Sequence, residues 1–158
     1  MIIVYILKVI VISWMIGHAS AIVLRGTNLL GKLWQFNFVK NEKTNELIGV
    51  GVLKWVLVNS FIKYFNRQLH ISDKKPSLNQ LSRLREEMTY AEVVHLVGFV
   101  YVTVRVILNI GNSELAGATT PLLVANMITN FYPALLQQLN KRRLDRLTTR
   151  TRCHVPSS

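Results

Sequence analysis

Acidic residues are scarce in this 158-residue chain, 8 Asp and Glu against 19 Lys and Arg, which leaves a formal net charge of +11. Cysteine is scarcer still: Cys153 stands alone, which excludes a disulfide-stapled secreted module. No internal repeat or low-complexity tract is visible. Catalytic signatures are missing too. There is no phosphate-cradling glycine loop, no GxSxG elbow and no HExxH. A Glu-x-x-His element does occur, but di-iron bundles need two of them plus two further glutamates. The apolar segments hold Glu92 alone, so no metal centre is expected.

What is present is hydrophobic: half the residues are apolar, which excludes global disorder. A chain of this length forms one domain. Half-apolar composition with a large positive charge fits either a soluble nucleic-acid binder or a membrane protein with basic loops. The charge distribution decides. Ile2 to Leu24 carries one charge, Lys8, and two more apolar stretches run over about 88–110 and 115–139. Each is long enough to cross a ~30 Å hydrocarbon core at ~1.5 Å per residue. Between the first and second lie 11 of the basic residues, and six more follow the third. The connector from Gly111 to Ala118 has no Lys or Arg.

The expectation is an all-α membrane protein of about three transmembrane helices, without a nucleic-acid partner. Residues 1–152 form a single membrane domain, with a cytoplasmic loop over 25–87 and a short tail, 153–158. The positive-inside rule puts the N-terminus outside and the C-terminus in the cytoplasm. Ala19-Ser20-Ala21 fits a signal-peptidase pattern, but no basic segment precedes the apolar run, so a retained span is expected. Residues 47–65, with Lys54 and Lys63 among aliphatics, read as an interfacial or re-entrant helix, because a fourth crossing would separate the two most basic segments. Leu78, Leu81, Leu84 and Met88 mark an amphipathic lead-in to the second span. Cys153 reads as a bystander, with S-palmitoylation as the sharper alternative.

Polar groups within the spans are the candidates for chemistry. Glu92 and His95 lie three apart, ~60° around a helix, and ionisable groups at that depth face protein or water. A carboxylate can hold one imidazole nitrogen and leave the other as a proton acceptor. A satisfied interhelical pair is the alternative. Asn126, Asn130, Pro133, Gln137 and Asn140, spaced four, three, four and three, form a polar stripe, which serves equally as an amide seam or a site lining. Pro133 also frees a backbone carbonyl. In the first span Ser13, Gly17 and Ser20 read as a packing groove, and His18 as a structural histidine. Arg105 is expected to snorkel toward the outer interface.

These segments resemble a known family. Glu87-Met88-Thr89-Tyr90-Ala91-Glu92-Val93-Val94-His95 resembles the Glu-x4-Glu-x2-His segment of the glycosyl-4,4'-diaponeurosporenoate acyltransferases, small bacterial membrane proteins of carotenoid-ester synthesis. Asn130-Phe131-Tyr132-Pro133, followed by Gln137 to Leu144, looks like that family's Asn…Gln-Arg-Tyr-Asn-Arg-x-Arg-Leu ending, with Gln138-Leu139 in place of Arg-Tyr. Leu47 to Trp55 is similar to its Leu-Gly-x-x-Lys-Trp element. The resemblance covers about 36–147.

It implies a membrane enzyme that moves a fatty acyl group to a hydroxyl of a glycolipid or carotenoid-glycoside-like acceptor. The donor would be acyl-CoA or another activated acyl compound, with no bound cofactor. In that reading His95 takes the hydroxyl proton and Glu92 holds the imidazole. Asn126, Asn130, Gln137 and Asn140 bind the acceptor or the developing oxyanion, and Lys141, Arg142 and Arg143 hold the donor's phosphates. A non-enzymatic membrane subunit or lipid-binding adaptor is the alternative.

Overall fold

The computed structural model describes residues 1–27 and 77–153, and these are helical with no strand. Helix α1 spans Ile2–Gly26 and α2 spans Leu78–Ile110. Helix α3 covers Ala116–Asn126, a π-helical turn covers Met127–Phe131, and α4 covers Tyr132–Cys153. The interfacial or re-entrant helix expected over 47–65 lies outside the described residues.

The second span and its amphipathic lead-in are one helix of 33 residues. Its start is a capping box. The Ser77 hydroxyl accepts from the Gln80 backbone N–H (3.3 Å), and the Gln80 side chain accepts from the Ser77 N–H (3.0 Å). Two helices, α1 and α2, are long and apolar enough to cross a membrane. Only 22% of the most apolar stretch of α1 and 33% of that of α2 is buried inside the protein. The core helix of a soluble protein is buried over most of its length. The exposed faces here carry Ile3, Val4, Leu7, Met15, Ile22, Val100 and Ile107, which suits a lipid environment.

The third apolar stretch is divided by the π turn, so neither α3 nor α4 meets the length and hydropathy of a span by itself. The backbone stays helical at both junctions: Met127 has φ −58°, ψ −48° and Tyr132 has φ −63°, ψ −41°. The interruption is therefore a change of winding. Residues 116–139 run without a break for ~36 Å by the α-helical rise.

The described residues gather into two compact units, one of 1–27 with 90–134 and one of 77–89 with 135–153. In the first, Val9 and Ile10 of α1, Val102 and Val106 of α2 and Leu122 of α3 form a three-helix core. A second cluster joins Ala21 to Val93 and Val94. Ser13 and Gly17 are buried, as a packing groove requires. Gly17 is needed there, since a Cβ would collide with the Val94 carbonyl. In the second unit Leu81, Met88 and Leu144 pack together, and Arg85 grips Asp145 through Nε and, at 3.1 Å, through a terminal nitrogen.

Candidate functional site

In the first unit the site grows from the π turn. A π turn accommodates one residue more than an α turn, so the helix beyond it is rotated by about 100° relative to an uninterrupted α-helix. Asn130 lies inside this turn and is fully buried, as is Asn126 just before it. Asn126 is fully engaged. Its Nδ2 donates to the Phe99 carbonyl and to Thr103 Oγ1 of α2 (both 3.2 Å), and its Oδ1 accepts from Asn130 Nδ2 (2.9 Å). The same Asn130 nitrogen reaches Ser13 Oγ of α1 at 3.4 Å. The Asn130 donor is thereby used, while its Oδ1 is buried with no hydrogen-bond partner.

That oxygen lies over Gly98, where a Cβ would come within 2.9 Å of it and 3.3 Å of the Ser13 carbonyl. Gly98 sits three residues beyond His95, and its lack of a side chain admits the amide to this face of α2.

His95 is half-buried. The polar groups around its ring are the Asn130 side chain, the Thr129 backbone and His18. Its Nδ1 is buried without a hydrogen-bond partner. Pro133, just past the π turn, has no N–H to donate within the helix. His18 shares a 3.1 Å hydrogen bond with Tyr90 Oη, and the two rings are tilted with centroids 5.9 Å apart. His18 thus links α1 to α2 through Tyr90.

Glu92 is buried and holds a polar interaction of its own. Three residues of helix bring it and His95 to the same side but, at ~60° apart, leave one side chain in the interior and the other at its edge. The polar company of His95 is the π turn.

The second unit holds the remaining expected residues. Gln137 and Asn140 are half-buried, Arg143 is exposed, and Gln138 and Lys141 are buried. The spacing of four, three, four and three picks out 133, 137 and 140, which are half-buried, and passes over Gln138, which is buried. A proline three residues after a buried asparagine, in the middle of a helix, is the local signal of irregular winding.

Arg142 is the electrostatic anomaly of this unit: all three guanidinium nitrogens are buried and none has a hydrogen-bond partner. Asp145, one turn on, is taken by Arg85. An uncompensated buried charge costs several kcal/mol. Among the described residues no three His, Cys, Asp or Glu come together to hold a metal ion.

The profile of the glycosyl-4,4'-diaponeurosporenoate acyltransferases matches residues 26–150. It covers Glu92, His95, Asn126, Asn130 and the basic segment, but not α1. No curated protein and no solved structure matches the chain. With most of its length accounted for by that profile and two helices fit to span a bilayer, the chain belongs to the glycosyl-4,4'-diaponeurosporenoate acyltransferase family and is a membrane acyltransferase of carotenoid biosynthesis.

Proposed function

We propose that this acyltransferase esterifies a sugar hydroxyl of a glycosylated polyene carboxylate, with His95 as the base. The observation that carries the reading is a pair of neighbouring groups, His95 Nδ1 and Asn130 Oδ1, each buried and lacking a partner. With its other nitrogen protonated, the ring offers Nδ1 as an acceptor, and a carbonyl oxygen is an acceptor always. The missing partner is thus a donor, and a hydroxyl is the donor an acyl acceptor brings.

In the step, the hydroxyl oxygen attacks the acyl carbonyl carbon while its proton passes to His95 Nδ1. The tetrahedral intermediate collapses with cleavage of the bond from acyl carbon to leaving group. The leaving thiolate or alkoxide takes the proton back from the imidazolium. The Thr129 carbonyl accepts from the protonated ring nitrogen and fixes the tautomer. Glu92, a buried carboxylate on the same helix, favours the imidazolium as it forms.

The donor is an activated acyl compound bearing phosphate, such as an acyl-CoA. Arg142 binds a phosphate of it, with Lys141, Gln137, Asn140 and Arg143 arranged along the same segment of α4. The positive-inside rule favours this end of the protein, with the C-terminus, on the cytoplasmic side and the N-terminus outside.

The test is reconstitution of the purified protein in vesicles with a glycosyl polyenoate and an acyl-CoA, with the ester quantified by mass. Ester formation is expected. Its absence with acyl-CoA, alongside formation with a phospholipid donor, would replace the thioester donor by a lipid. Absence with both contradicts the reading. Under the same conditions Arg142→Met is expected to raise the KM for the donor about tenfold or more, since a charge-assisted phosphate contact is lost. It should leave Tm unchanged or higher, because an unpaired buried charge is removed. Arg143→Gln, at an exposed position, should stay within about twofold on both counts.

A further inference from the structure

A second polar cluster lies near the end of α2 remote from His95. Arg105 is ten residues beyond His95, ~15 Å along the helix axis, and Asn109 is one turn further. Tyr5 of α1 joins them: Arg105 donates to Tyr5 Oη from a terminal nitrogen (3.2 Å), and Tyr5 Oη donates to Asn109 Oδ1 (2.9 Å). Arg105 is half-buried. Its Nε is buried without a partner, and so is Nδ2 of Asn109, a residue 1% exposed.

Both orphans are donors. The tyrosine hydroxyl is already committed in each direction, and the guanidinium adds a positive charge. Among the described residues no carboxylate pairs with it. Glu114, in the turn after α2, is exposed and forms no ion pair with it. Two unmet donors around one uncompensated cation call for an anionic acceptor with several oxygens.

We infer that Tyr5, Arg105 and Asn109 form a binding site for the phosphate of an anionic membrane lipid, independent of the acyl-transfer chemistry at His95. Two features favour a lipid headgroup over a soluble anion. Arg105 stands five residues from the end of α2, ~7 Å along the axis, which is headgroup depth for a helix of this length. Its neighbours Val104, Ile107 and Leu108 are exposed apolar side chains, a surface for acyl tails. The seat draws on both α1 and α2, so a lipid held there braces the end of that helix pair.

The test is thermal unfolding of the full chain in phosphate-free detergent, titrated separately with phosphatidylglycerol, diacylglycerol of the same tails, and inorganic phosphate. Phosphatidylglycerol is expected to raise Tm by about 3 °C or more, and diacylglycerol to leave it unchanged. Arg105→Gln should lose most of that rise. Should Arg105→Gln not fold, Asn109→Leu, which keeps the cation and removes the orphan donor, should lose at least half of it. Equal rises in wild type and in the folded variants overturn the proposal, as does an equal rise with diacylglycerol. An equal rise with inorganic phosphate overturns the assignment to a lipid. Acyl transfer is not read in this experiment, so its result stands apart from the fate of the His95 mechanism.

Discussion

His95→Ala is expected to lower the rate of acyl transfer by about 100-fold or more, the usual contribution of a positioned general base. Helix content and Tm should remain close to wild type. The asymmetry follows from the ring's surroundings. Nδ1 is buried with nothing to bond, so truncation removes an unsatisfied acceptor and gives up only the ring's contact with the Thr129 carbonyl, and the half-buried ring leaves little apolar contact to lose. The measurement is the turnover of purified protein in vesicles, with circular dichroism melts on the same preparations. A variant with unchanged turnover removes His95 from the chemistry. A variant that melts far below wild type makes the histidine a structural bond, the alternative open at the level of sequence.

The two asparagines should separate just as clearly. Asn126→Ala breaks the amide's links to Phe99 and Thr103 and leaves the Asn130 donor with Ser13 alone. A loss of about 1–3 kcal/mol in stability is expected, with turnover of the folded fraction reduced only modestly. Asn130→Ala loses two bonds, to Asn126 and to Ser13, and also the acceptor beside His95, leaving the substrate hydroxyl without its second contact. Turnover is expected to fall about 100-fold, the scale of a small misplacement of reacting groups. Comparable losses of activity in both variants would mean that the two amides act only as a seam between helices.

The spans, the long amphipathic start of α2 and the small-residue groove of α1 follow from hydropathy and spacing alone, since each depends on a local period that tertiary packing preserves. That His95 and Asn130 are buried at least in part among other helices was legible for a related reason: polar groups in apolar helices are costly and must meet something. Two things were not legible. Helix-wheel arithmetic carries one winding through a helix, so it gave no sign of the π turn at Met127–Phe131, and the spacing passed over the buried Gln138. It also brought Glu92 and His95 to one side of α2 without saying which atoms meet, whereas the groups around His95 come from Asn130 and Thr129, some 35 residues away in sequence. Composition and spacing alone also left a non-enzymatic membrane subunit open; membership of an acyltransferase family decides for the enzyme.

The central claim is that His95 Nδ1 and Asn130 Oδ1 are the two acceptors waiting for the acceptor hydroxyl. Its most direct test is the affinity of wild type and the His95→Ala, Asn130→Ala double variant for the glycosyl polyenoate and for its deoxy analogue lacking the reacting hydroxyl. Wild type should prefer the intact glycoside by about tenfold or more, and the double variant should bind the two compounds alike. The same preference in both proteins would contradict the claim, because the hydroxyl would then be recognised elsewhere.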